Sequence, residues 1–197
     1  MSFRVGIAHH LGWAVAVTAA PDHAVVDRRR IELLEPGLPA APIHHEGGPH
    51  EMHRHGDPLH DAALAALVAE VRASAAAMTA AALDDLASSL EEPVVSISVR
   101  AWDPDFPTDI ATLRRVPYEA RADSVMYLQL LADAADARGW EVHLYDAKHV
   151  ESTAAGLLGD DADAILAGPR RTLGPPWAKD HRQALAATVL AAKGVTT

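Results

Sequence analysis

The chain has 197 residues, 49% of them hydrophobic, and a formal net charge of −10. That length suits one well-buried α/β domain covering residues 1–197 and is short for two. The absence of cysteine excludes disulfides, thiolate zinc sites and cysteine nucleophiles, and so acidic a surface repels a phosphate backbone unless a local basic patch outweighs the average field.

In chain order, residues 3–8 and 13–18 read as two strands of a hairpin whose tip is "HHLG", with Gly12 permitting the turn. After Pro21-Asp22 a third strand is predicted over 23–34, and such short connections make the three antiparallel. Residues 36–56 form a loop rich in Pro, Gly and His. Asp57-Pro58 reads as a helix start. Apolar residues from Leu64 to Leu90 then recur at steps of three and four, as in a helix with one face on a sheet; a break near Ser74 would divide it. Residues 94–99 are β-rich, and "RAWDPDFPTDI" is a loop because its prolines interrupt regular structure. A helix is predicted over 121–138, a strand over 140–145, and helical segments over 148–158 and 161–167. "GPRRTLGPPW" reads as irregular, and 179–193 as a closing helix. The order β-β-β-α-β-α-β-α predicts a five-stranded mixed sheet, because strand–helix–strand crossovers make parallel pairs. Arg28–Arg30, Arg114–Arg115 with Arg121, and Arg170–Arg171 read as solvated arginines on separate elements. No apolar run approaches the length of a membrane span and no leader-like pattern opens the chain, so the expectation is a cytoplasmic protein without a membrane partner.

That order, with "GIAHHLGWAV" (6–15), "YLQLLADAADARGWEVHLYDAKHVESTAAGLLG" (127–159) and "DHRQALAATVLA" (180–191), resembles the ribonuclease H-like superfamily and, within it, the RuvC-type Holliday-junction resolvases. The resemblance implies an α/β ribonuclease H-like five-stranded mixed sheet flanked by helices. It also implies phosphodiester cleavage by two metal ions, held by carboxylates from the first strand, the end of the fourth strand and the last helix. Hard Mg²⁺ prefers such oxygen ligands and steadies both attacking and leaving oxygens. Carried onto this chain, the first position falls on Ala8, which offers no ligand. The fourth-strand position falls near Asp103 or Asp105, the last-helix position on Asp180 and His181, and a further acidic position near Ala184.

His9 and His10 directly follow the missing carboxylate. They read either as substitutes, ligands or proton shuttles favouring Mn, Zn or Ni over Mg, or as a polar hairpin tip facing water. Asp103 and Asp105 equally suit turns beside proline, and Asp180 suits a charge at a helix start. Two functions follow. One is Mg- or Mn-dependent hydrolysis of nucleic acid at His9, His10, Asp103, Asp105, Asp180 and His181, with Asp103, Asp180 and His181 on the metal. The other is a catalytically inactive binding or scaffold protein that self-associates through alanine-rich helices. The histidines of 44–60, with Glu51 and Asp57, make either a zinc- or nickel-binding loop or a flexible pH-responsive one. No Gly-x-Gly-x-x-Gly, Walker or Gly-x-Ser-x-Gly pattern occurs, and Ser96, Ser98 and Ser124 have no base near them in sequence.

Overall fold

The structure, a computed structural model, describes residues 2–49 and 56–195. Its sheet runs in the order β3-β2-β1-β4-β5, from β1 (Phe3–His10), β2 (Trp13–Ala19), β3 (Val25–Glu32), β4 (Val94–Arg100) and β5 (Glu141–Tyr145). The first three strands pair antiparallel, and β4 and β5 add in parallel beside β1. This is the mixed sheet expected from the element order. The helices are α1 (Asp61–Ser88), α2 (Ile110–Leu113), α3 (Glu119–Asp136), α4 (Val150–Leu158), α5 (Ala162–Leu166), α6 (Pro169–Thr172) and α7 (Lys179–Ala192).

Four local readings change. β1 runs on to His10, so the hairpin turn is Leu11-Gly12 alone and both histidines are paired strand residues, not its tip. α1 starts at Asp61, because His60 and not Asp57 caps it: His60 Nδ1 accepts the Ala63 N–H at 3.3 Å. It then runs unbroken past Ser74. The Pro/Gly/His loop contains a π-helical turn, Ile43–Gly47, and the proline-rich segment contains α6, whose first residue is Pro169, where a missing N–H costs nothing. By length and composition α1 would also pass as a membrane span, a property that interspersed Asp, Glu and Arg hide from a search for apolar runs. In the fold, one stripe of it (Leu64, Val71, Ala75, Leu83, Leu86) is fully buried.

Successive strand residues point to opposite faces, and β1 divides the core accordingly. Val5 and Ile7 pack with α1 and α3 side chains such as Leu83, Tyr127 and Leu131. Gly6 and Ala8 face α7. A Cβ on Gly6 would lie 1.8 Å from the Ala184 carbonyl oxygen, so glycine is what lets the α7 backbone seat on β1. Ser98 secures the same contact by donating to the Ala187 carbonyl at 3.2 Å.

The first arginine cluster, and Arg114 of the second, are spent on structure. Arg28 donates to the carbonyls of Leu173, Gly174 and Pro176, holding the proline-rich segment. Arg29 pairs with Asp27 and Asp85, and Arg30 with Glu32. Arg114 joins the Gly47 and Leu59 carbonyls to Asp61.

Candidate functional site at the hairpin tip

β1 and β4 are registered from Phe3–Val94 to Gly6–Ser98, while the β4–β5 ladder continues to Arg100–Tyr145. The sheet therefore forks at the carboxyl ends of its parallel strands, where ligands gather in α/β folds. Tyr145 Oη closes the fork by donating to the Ile7 carbonyl at 2.7 Å. Burial holds that phenol well above its ordinary pKa. Ala8 is buried here too, in an apolar cluster with Tyr145, Val150, Trp177 and Ala184.

The strand alternation separates the two histidines. His9 turns to α3, its Nε2 within 2.8 Å of Ser124 Oγ. Burial first, then the charges of Arg100 and His10, push its pKa down to about 4, so its imidazole is neutral at neutral pH. His10 turns to α7, its Nε2 within 2.9 Å of the Asp180 carboxylate. Its ring stacks on Trp13 with centroids 4.0 Å apart, and the Arg30 guanidinium lies 4.0 Å from the same Trp13 ring.

The other candidate residues are held separately. His181 Nδ1 accepts the Ala178 N–H at 3.3 Å, a side-chain-to-backbone bond that satisfies a donor at the start of α7, where Ala178 has no side-chain acceptor of its own. Burial, reinforced by the Arg28 charge, lowers its pKa. Asp103 accepts the Asp105 N–H at 3.0 Å in the exposed loop after β4. The structure thus joins His10 to Asp180 and Asp103 to Asp105, and sends His9 and His181 elsewhere. Among the described residues, no three His, Asp or Glu side chains stand together as a metal-binding group. The last residue of β4 is Arg100, and Asp103 and Asp105 lie beyond the strand. Two alanine methyls, at Ala8 and Ala184, and a guanidinium do not fit a two-metal centre, because none donates an electron pair to a cation.

Two features had no signal in the chain order. A cleft of about 200 Å³ opens between the end of β4 and α3, lined by Arg100, Trp102, Arg121 and Ser124 among others. The base beside Ser124 is His9, 115 positions away. The second feature is a buried acidic pair one turn apart on α3. His44 Nδ1 lies 2.8 Å from a Glu119 carboxylate oxygen. Asp123 accepts the N–H groups of Ile43 at 3.1 Å and His44 at 2.9 Å, satisfying the start of the π-helical turn. Burial raises Asp123 to about 6, against the lowering effect of those two hydrogen bonds. Their i, i+4 spacing, in line with apolar Met126 and Leu130, was the only available hint. Of the loop histidines, His44 and His60 are thereby placed; His50, Glu51, His53 and His55 lie outside the described residues.

No family model and no curated protein matches the chain. Among solved structures, it is similar to Thermus thermophilus RuvC in complex with Holliday junction substrate, at 12% identity and a TM-score of 0.54, covering 98% of this chain and 95% of that one. Another structure of Thermus thermophilus RuvC matches at 12% identity and a TM-score of 0.51, covering 98% and 96%. At that identity the likeness establishes a shared fold, the α/β ribonuclease H-like sheet flanked by helices.

Proposed function

We propose that this chain is a ribonuclease H-like binding protein without metal-dependent cleavage. The observation that carries this reading is the pair of side chains at the strand ends: Ala8 sits in an apolar cluster and Arg100 terminates β4. A guanidinium repels a divalent cation, and a methyl group gives it no ligand. One RuvC neighbour is bound to a Holliday junction, which makes nucleic acid the first partner class to test. The charge of −10 requires any such contact to be local. Self-association through α1 belongs to the same reading, since Ala66, Ala69, Ala73, Ala77 and Ala81 form an exposed row along it; sedimentation at micromolar concentration reads it directly.

The hydrolase reading, with Asp103, Asp180 and His181 on Mg or Mn, draws on the His10–Asp180 contact. One experiment separates the two. The full chain is incubated with branched and single-stranded DNA in Mg²⁺ or Mn²⁺ and titrated calorimetrically with Mn²⁺. The binding reading expects intact DNA and no stoichiometric Mn²⁺ site sensitive to Asp180→Asn. DNA cleavage abolished by Asp103→Asn would replace it with the hydrolase reading.

A further inference from the structure

Resting on the binding reading, we propose that the cleft between the end of β4 and α3 is a metal-independent phosphate site, built to take a terminal phosphate group. Arg100 and Arg121 both line it. Neither makes an ion pair among the described residues, and both stand on one cleft, where Arg121 also lies 5.7 Å from the Phe106 ring centroid. Acidic side chains outnumber basic ones 27 to 17 in this chain. Two arginines without carboxylates on one small cleft therefore leave a local positive field inside a negative one. Guanidinium forks match phosphate oxygens in pairs, and such charge-assisted bonds are stronger than neutral ones.

The remaining donors are already oriented. His9 is neutral, so one of its ring nitrogens carries a proton. With that proton on Nε2, it donates to Ser124 Oγ across their 2.8 Å contact. The serine hydroxyl proton is then free to donate to an oxygen in the cleft that Ser124 lines. Trp102, on the same rim, supplies an aromatic face to whatever carries the phosphate. The volume of about 200 Å³ holds a phosphate group and leaves the rest of a larger ligand outside. Positive side chains here take over the charge neutralisation that a cation would otherwise supply, so no metal is required.

The phosphate has two sources, the free ion or the phosphorylated end of an oligonucleotide, and the test distinguishes them. The full chain is titrated by calorimetry in chelator-containing buffer. The ligands are inorganic phosphate, a 5′-phosphorylated oligothymidylate and its unphosphorylated form. Saturable phosphate binding is expected, weakened about tenfold or more by Arg100→Gln and by Arg121→Gln. A phosphorylated oligonucleotide that binds tighter than both other ligands identifies a nucleic-acid end. Phosphate binding at least as tightly identifies the free ion. Both arginines are exposed, so the variants keep the core. A second readout on the unmodified chain is the His9 imidazole resonance, which should shift on adding phosphate. Absence of saturable binding, or binding unchanged in both arginine variants, overturns the site while leaving the binding reading intact. Phosphate binding that appears only with Mn²⁺ and is lost in Asp180→Asn overturns both.

Discussion

On the α3 side of the β1 end, His9 is half-buried beside Ser124 and next to a cleft lined by two arginines. On the α7 side, His10 meets Asp180 at the surface, while Ala8 and Tyr145 close the interior with apolar contact. Adjacent residues thus serve two unrelated environments. Two adjacent histidines on a strand do not make a bidentate site, because the pleat sends the two rings to opposite faces. The apolar side gives tight packing and no ligand; the polar side gives donors and positive charge.

The contrast can be broken most severely on the packed side. Gly6→Ala should cost about 3 kcal/mol or more, since its methyl meets the Ala184 backbone and not a side chain that can swing away. Chemical denaturation reads the loss, and a change below about 1 kcal/mol would mean that α7 does not seat on β1 as described. Ala8→Asp restores the carboxylate that the RuvC-like pattern would place there. It should destabilise the fold by about 3 kcal/mol by leaving a charge unpaired in an apolar cluster, and it should not create Mn²⁺ affinity. Unchanged stability would show that the interior beside Tyr145 is already open to water.

The polar side is sharpened by pH. His9 has a folded pKa of about 4 against an ordinary 6.5, so the unfolded chain takes up its proton first on acidification. Its contribution is fully present above pH 6.5 and is lost as pH falls through about 4. The loss approaches roughly 3 kcal/mol, and His9→Gln should remove that slope. Asp123 works in the opposite direction. Its folded pKa of about 6 exceeds the ordinary 3.8, so its contribution is present below 3.8 and is lost as pH rises through 6. Asp123→Asn should flatten this part of the profile, and it forfeits one of the two N–H bonds because its amide nitrogen cannot accept, a cost of about 1–3 kcal/mol read at low pH. Amide exchange at Ile43 and His44 localises the effect to the π-helical turn. The smallest change is expected from His10→Ala, below about 1 kcal/mol, because its pair with Asp180 is exposed to solvent.

Much of the fold was legible because it rests on local signals. The three-and-four spacing of Leu64, Val71, Leu83 and Leu86 gives α1, and short turns give the antiparallel β1–β2–β3 run. Helix insertions before β4 and β5 then make those strands parallel. The start of α1 moved through side-chain capping, where His60 displaced Asp57. The site was far less legible. The divergence of His9 and His10 follows from strand periodicity once β1 runs on to His10; reading both as the hairpin tip hid it. The partnership of His9 with Ser124, the clamp of Asp123 on Ile43 and His44, and the meeting of Arg100 with Arg121 all join distant segments. Such pairings are set by how helices dock on a sheet, which no local pattern encodes.

The separation of the two faces is tested most directly by Mn²⁺-induced paramagnetic broadening of the imidazole resonances of His9 and His10, recorded on the full chain at one equivalent of metal. The account predicts that both resonances keep their linewidths. Broadening of both that is abolished by Asp180→Asn would show a Mn²⁺ ion bound at this strand end and contradict it.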